Sequence, residues 1–426
     1  MSIAILMGVM LLLLFAGVPV AFSLLAACFA TALHLGLPPI VVAQQVAAGA
    51  SGPTLVAIPL FIFAGELMLR GGISDRLIGL AASLVGRFRG GLAQINVLSS
   101  LLFGGVSGSA LADVSAVGGT MIPQMVKRGF ARDFAVNVSV SAALVALLVP
   151  PSHNLILYSA SVGGSVSILD LFAAGILPAL LMTAALMAVN RIIAVRRGLP
   201  TETFPGWREV GRRFVAALPG LLLVAIIFFG IRSGVFTAVE SAAIAVAYAL
   251  LVTLVLYRSL GAHRLWEVIT AAARTSGLIL FVIGAASAFG WLLAYLEVPR
   301  AAVDLLQTLA HSRWEMLLIL TALLLFLGTF MDLGPMILIC TPIFLPVAKA
   351  FGVDPVHFGV ILVLAGGIGL ITPPVGSVLF VGTAIGGITV GESMRTIWPF
   401  YIAAFVVLML VVFVPQLSLW LPAVMR

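Results

Sequence analysis

Apolar residues run in blocks of about twenty along nearly the whole chain, with polar residues gathered in short stretches between them, the pattern of membrane-spanning helices. Residues 3–36 are interrupted only at Gly17-Val18-Pro19, which predicts two spans, the first short. Residues 53–70 form a third. Ile73-Ser74-Asp75-Arg76 then opens an amphipathic stretch to about Arg89, suited to lie at the membrane interface. Residues 91–126 are apolar but carry basic flanks on both sides, Arg87 and Arg89 before and Lys127, Arg128 and Arg132 after. Flanks on the same side predict a re-entrant hairpin that enters the membrane and returns. A long span over about 133–163 is broken at Pro150-Pro151, another covers 168–190, and Arg191–Arg213 is the markedly polar segment of the chain.

The order then repeats. Spans are predicted at about 214–229, 236–257 and 266–295, followed by an amphipathic stretch after Pro299. A second hairpin covers about 316–348, a span broken at Pro373-Pro374 covers about 355–388, and a last span covers 397–424. Spacing supports the repeat: Asp113 lies ten residues before Pro123, as Asp332 does before Pro342. Pro150 lies thirteen before Gly163, as Pro373 does before Gly386, and Gly164 and Gly387 make Gly-Gly pairs of both. Each half holds five spans and one hairpin, and an odd number of spans inverts the second half relative to the first. The expected fold is therefore an all-α polytopic membrane protein of two inverted-topology repeats, residues 1–197 and 198–426.

Composition agrees. The chain is 62% hydrophobic and 9% charged, against roughly 25% charged in soluble proteins. A β-barrel would alternate polar and apolar residues. The net charge of +7 suggests nucleic acid at first sight, but the basic residues sit between spans, where they report topology. With the N-terminus outside, positions 70, 76, 87, 89, 127, 128, 132, 191, 196, 197, 208, 212, 213, 258, 264 and 395 fall on the cytoplasmic side. Only Arg232, Arg300, Arg313, Lys349 and Arg426 fall outside, and Arg274 is ambiguous. Both termini are then external, the first hairpin opens from the cytoplasm and the second from the outside. The N-terminal apolar stretch lacks a basic leader and reads as membrane domain. Cys28 and Cys340 lie in separate apolar segments and imply neither a disulfide nor a metal site.

Two stretches carry the candidate chemistry. Ser107-Gly108-Ser109, with Asp113 one turn on, is answered by Pro150-Pro151-Ser152-His153-Asn154. Gly328-Thr329-Phe330-Met331-Asp332 is answered by Thr372-Pro373-Pro374-Val375-Gly376. Irregular backbone at membrane depth persists only inside protein or beside a water-filled cavity, and paired breaks in corresponding halves point to a binding site. Carbonyls and hydroxyls of Ser107, Gly108, Ser109, Gly328 and Thr329 suit a hard cation such as Na⁺, although small residues also simply permit tight turns and close helix packing. Proline removes an amide donor and disrupts the preceding helical bond, so carbonyls around Pro150, Thr372 and Pro373 are free to join that cation. Amides after each break present positive helix ends, and Ser152, Asn154, Val375 and Gly376 there suit a carboxylate. The bland alternative is a kink packed by its neighbours. Asp332 is placed to support or ligate the cation, since a deep charge needs a partner or a role. Asp113, with Pro151 and Pro374, has a structural or coupling place, capping hairpin amides. Thr237-Ala238-Val239-Glu240 reads as a capping box, Glu66 as an ion pair with Arg70, and His153 as a structural histidine.

At these residues the chain resembles the large membrane subunit of tripartite ATP-independent periplasmic (TRAP) transporters, the DctM family. The resemblance spans nearly the whole chain and rests on Ile58 to Gly65, Ser107 to Ala110, Thr237 to Tyr248, Met331-Asp332, Asp354 to Gly359 and Ile371 to Gly376. It implies an elevator-type importer of the bacterial or archaeal inner membrane. The motion would be driven by Na⁺, with two or more ions and no organic cofactor. It also implies a small four-span membrane subunit, a periplasmic substrate-binding protein, and a small organic acid such as a dicarboxylate, sialic acid or sugar acid as substrate. No nucleic acid is implied. No small-subunit sequence precedes Met1, so that partner is expected as a separate chain. One departure stands out: Ala365-Gly366-Gly367 occupies a region where the family often carries an asparagine. The competing classes are an intramembrane aspartyl protease using Asp113 and Asp332, which lack the Gly-x-Gly-Asp setting at Asp332, and a channel, which has no need of two opposed hairpins.

Overall fold

The computed structural model describes residues 1–425, the side chains of Thr54 and Val106 excepted, and no strand occurs among them. Arg426, placed outside by the charge pattern, lies beyond the described residues. Helices Ser2–Phe15 and Val20–His34 part at Gly17, whose φ of +81° suits a residue without a Cβ. A helix over Pro39–Ala50 follows that the hydropathy pattern did not predict, because Gln44, Gln45 and Gly49 interrupt its apolar run. Ala57–Arg70 then bends by 65° into the amphipathic helix Ile73–Val85.

The first hairpin rises as Gly91–Ser107, turns at Gly108 and returns through Ala110–Asp113, a π-helical turn over Val114–Gly118 and Gly119–Lys127. The span that follows is broken into Arg132–Ala146 and His153–Ser161, and Ile168–Arg196 ends the first half. In the second half come Trp207–Arg232, Ala238–Leu250 prolonged by a π-helical stretch to Leu256, and Ala262–Tyr295. The amphipathic helix Val298–Leu309 meets the hairpin arm Arg313–Gly328 at 120°. Leu333–Ala350 returns, and the second broken span is Pro355–Leu370 and Ser377–Gly386. The last span is not the continuous helix expected over 397–424: Trp398–Phe413 and Gln416–Met425 meet at 57°. Pro415 lacks the amide that would carry the helix on, and Val414 stands at φ −121°, ψ 81°.

These elements pack as two groups. Ala238–Leu250 lies on Ala57–Arg70, Ala262–Tyr295 on Pro39–Ala50 and Val20–His34, and Trp207–Arg232 on Ile73–Val85. Arg70 ties the first group together by pairing with Glu66 and Glu267, each at 3.2 Å. The Tyr248 hydroxyl donates to the Pro219 carbonyl at 3.0 Å. In the second group each hairpin's first arm lies on its own half's broken span, Gly91–Ser107 on Arg132–Ala146 and Arg313–Gly328 on Pro355–Leu370. The far half of each broken span crosses over. His153–Ser161 packs on the second hairpin's return arm, and Ser377–Gly386 packs on the first hairpin's return arm. Buried polar ties hold the crossing. The Tyr158 hydroxyl donates to the Pro355 carbonyl at 2.6 Å. Asn137 Nδ2 donates to the Ser393 carbonyl at 3.1 Å and the Thr396 hydroxyl at 2.9 Å. Each such bond contributes about 1 kcal/mol. Between the groups lies a cavity of about 450 Å³ lined by Ala48, Gly52, Ala160, Ser161, Ala286 and Gly290, among others, while Ile73–Val85 packs on Gly91–Ser107 and Ala262–Tyr295 on Leu333–Ala350.

Candidate functional site

Both hairpin tips seat in the breaks of their own half's broken span. At the first, Gly108 adopts φ +57°, and a Cβ there would stand 2.8 Å from the Pro151 carbonyl oxygen. A Cβ on Gly105 would stand 2.9 Å from the Pro150 carbonyl oxygen. Only glycine lets these backbones approach so closely. Asn154 Nδ2 closes the seat by donating to the Gly108 carbonyl at 3.1 Å. The Ser152 hydroxyl donates to the Leu147 carbonyl at 2.6 Å, replacing a bond the broken helix has lost. At the second, Gly328 lies against Gly366 and Gly369, and the Val375 amide donates to the Thr329 carbonyl at 3.0 Å. The Thr329 and Thr372 hydroxyls donate to the Phe326 and Ile368 carbonyls at 2.8 and 2.7 Å.

The structure thus gathers Ser107, Gly108, Ser109, Pro150 and Pro151 at one seat and Gly328, Thr329, Thr372, Pro373 and Val375 at the other. It treats the two seats unequally. Ser152 and Asn154 are buried, their hydrogen-bonding groups turned onto protein carbonyls, while Pro374 and Val375 are exposed, Val375 at 45%. Asp332 is exposed too, and its Oδ1 accepts from the Ser377 hydroxyl at 2.6 Å. Phe330 of this tip meets Phe15 of the first helix edge-on, with centroids 6.4 Å apart. The open tip therefore faces the first group of helices.

Asp113 departs from its expected place. Ser109 is the capping residue, its Oγ accepting from the Ala112 amide at 3.4 Å. Asp113 instead accepts from the Ser100 hydroxyl at 2.7 Å across the hairpin, so it joins the two arms. Ser377 was missed at the sequence level although a signal was present. Pro373 follows Pro150 by 373 − 150 = 223 residues, and Ser377 follows Asn154 by the same 377 − 154 = 223. In both halves a polar side chain at this position reaches back to its hairpin tip. Tyr401 gave no such signal; its hydroxyl donates to the Ile371 carbonyl.

The donors facing each seam are backbone carbonyls, with hydroxyls beside them and one carboxylate at the second tip. Such hard oxygen ligands fit Na⁺ and would not hold a soft metal. Among the described residues no group of three His, Cys, Asp or Glu side chains converges as a metal site.

Paired hairpins seated in paired helix breaks define a polytopic transporter of the membrane. The chain belongs to the family described as Tripartite ATP-independent periplasmic transporter, DctM component, which matches residues 7–417. It is a transporter permease subunit and not an enzyme, which sets the protease reading aside. The 2,3-diketo-L-gulonate TRAP transporter large permease protein YiaN of Escherichia coli is 36% identical over 418 residues, covering 98% of each chain. The sialic acid TRAP transporter large permease protein SiaM of Vibrio cholerae is 38% identical over 411 residues, covering 96% of each chain. Among solved structures, the YdaH transporter of Alcanivorax borkumensis matches with a TM-score of 0.61 at 14% identity over 88% of each chain, a likeness of fold alone.

Proposed function

We propose that this chain is the Na⁺-coupled membrane component of an importer for a small organic acid, working by an elevator motion in the inner membrane with both termini on the periplasmic side. Its partners are a small four-span membrane subunit and a periplasmic binding protein that delivers the acid. Related permeases named for 2,3-diketo-L-gulonate and sialic acid support a sugar acid or sialic acid as the substrate. The observation that carries the reading is the crossing of the two broken spans. The far half of each packs on the hairpin of the other half, so both seats belong to one interlocked body. That crossing is what two inverted repeats produce, and it favours the division at 197/198. The cavity on the boundary with the first group of helices leaves room for a body that slides as a unit.

Cation binding would act at the seams. The carbonyls of Gly108 and Thr329 belong to the tips; those of Pro150, Thr372 and Pro373 belong to the breaks. Na⁺ supplies positive charge that draws both sets together. Ser107, Ser109, Thr329 and Thr372 bring hydroxyls, and Asp332 brings formal charge to the second seam. The ion thereby adds to the protein bonds that hold each tip shut, which couples it to the motion. The acid lies between tips and scaffold. No Lys or Arg occupies either tip or either break, so its carboxylate is held by the helix ends near Asn154, Val375 and Gly376, by nearby hydroxyls and by the bound Na⁺. Without a buried arginine release is fast, and selectivity rests mainly with the binding protein.

The test is uptake into proteoliposomes holding both membrane subunits, screened over organic acids with the cognate binding protein. Accumulation that needs both an inward Na⁺ gradient and the binding protein is expected. Passive equilibration without the binding protein would mark a channel instead.

A further inference from the structure

The second seam contains an exchange of hydrogen-bond partners. In a continuous helix the Ile371 carbonyl would accept from the amide four residues on, that of Val375. Here the Val375 amide donates to the Thr329 carbonyl at the hairpin tip. The Ile371 carbonyl, left without its helical donor, takes the hydroxyl of Tyr401 from the separate helix Trp398–Phe413. At the first seam the Ser152 hydroxyl donates to the Leu147 carbonyl from within its own break.

We propose that Tyr401 is a positioning residue for the second cation seam: its phenol occupies the Ile371 carbonyl, which leaves the Val375 amide available to hold the hairpin tip shut. This rests on the Na⁺-coupled reading of that seam. Two features make the role specific. Tyr401 lines a cavity of about 490 Å³ whose other walls include Phe326, Ile368, Trp398, Ile402 and Phe405. The same wall carries the Thr329 and Thr372 hydroxyls, but these already donate to the Phe326 and Ile368 carbonyls, and an acceptor left bare there is costly. The Val375 amide is the nearest alternative donor along the chain, and its return to Ile371 removes the bond that joins break to tip. Loss of one hydroxyl therefore loosens the tip without disturbing the chain's packing. Tyr401 also conveys the position of the last span to the seam, because the phenol can reach Ile371 only while Trp398–Phe413 stays against the break.

The test is Tyr401→Phe in the full reconstituted transporter, with two readouts. The first is the Na⁺ dependence of uptake. A rise in half-saturating Na⁺ of roughly three- to tenfold is expected, as for one lost hydrogen bond, with the maximal rate at saturating Na⁺ retained. A lower maximal rate with unchanged half-saturation would indicate a merely structural role and overturn the proposal. The second readout is labelling of Met331→Cys at the tip by a membrane-impermeant thiol reagent, with Cys28 and Cys340 replaced by alanine. Faster labelling in the Tyr401→Phe background is expected, and an unchanged rate overturns the proposal. If uptake by the unmodified transporter proves independent of Na⁺, the cation reading fails, and the labelling rate alone decides the role of Tyr401.

Discussion

Gly369 of the second broken span lies flat against Gly328 of the second hairpin, so that a Cβ added to Gly369 would stand 2.4 Å from the Gly328 carbonyl carbon. No side chain fits there without moving backbone, and the contact is where the hairpin tip meets the break. Gly369→Ala therefore wedges the seam open. Overpacking of this kind costs about 1–3 kcal/mol, and uptake per unit of membrane-inserted protein should fall about tenfold. Gly119→Ala, where a Cβ meets nothing within 4 Å, is the matched control and should transport normally. Equal rates for the two variants would show that the seam tolerates separation.

Asp332 and Ser377 join the same tip to the second half-helix through a single bond at the open end of the seam. Asp332→Ala should abolish Na⁺-driven uptake while leaving the protein in the membrane. Ser377→Ala, which keeps the carboxylate but removes its donor, should transport more slowly and need more Na⁺. Initial rates at graded Na⁺ decide the matter, and Asp332→Ala with normal uptake and unchanged Na⁺ dependence removes the carboxylate from the coupling mechanism.

Asn154 and Ser152 make the corresponding bonds in the first half, where both are buried. Asn154→Ala leaves the Gly108 carbonyl unpaired and Ser152→Ala does the same to the Leu147 carbonyl. A buried acceptor left bare costs about 1–3 kcal/mol, so both variants should lose uptake. If neither changes transport and an arginine elsewhere proves essential, recognition by helix ends is wrong.

The topology has its own test. Single cysteines placed near Arg196 and Arg208 should react only from the cytoplasmic face, and one placed near Arg313 only from the periplasmic face. The opposite pattern would remove the inverted arrangement of the halves.

Much of this architecture was legible in the chain because a membrane makes its demands explicit. Apolar blocks and basic flanks marked the spans and hairpins, and Pro150-Pro151 and Pro373-Pro374 marked the breaks where the structure places them. The helix Pro39–Ala50 stayed hidden because two glutamines and a glycine interrupt its apolar run. The bend at Pro415 falls inside the single span predicted over 397–424 because the apolar run continues on both sides of it. At the site, glycine and proline positions were readable since they constrain backbone locally. Hydrogen-bond partners were not, because they depend on which distant segment arrives. Asp113 turned to Ser100 rather than to its own amides, Ser152 and Asn154 turned inward, and Tyr401 reached Ile371 from thirty residues away, the separation 401 − 371.

If hairpins and broken spans move as one body against a scaffold, the boundary between them offers a direct lock. A Cβ at Gly290 of the scaffold helix would stand 3.8 Å from the Cβ of Pro342 on the second hairpin, within the range of about 3.5–4.5 Å that a disulfide spans. Gly290→Cys with Pro342→Cys, in a chain whose Cys28 and Cys340 are replaced by alanine, should cross-link under mild oxidant. The measurement is Na⁺-driven, binding-protein-dependent uptake by that variant in proteoliposomes before oxidation, after it, and after reduction. Uptake should disappear when the link forms and return when it is reduced; full uptake by the cross-linked protein would show that transport needs no sliding at this boundary.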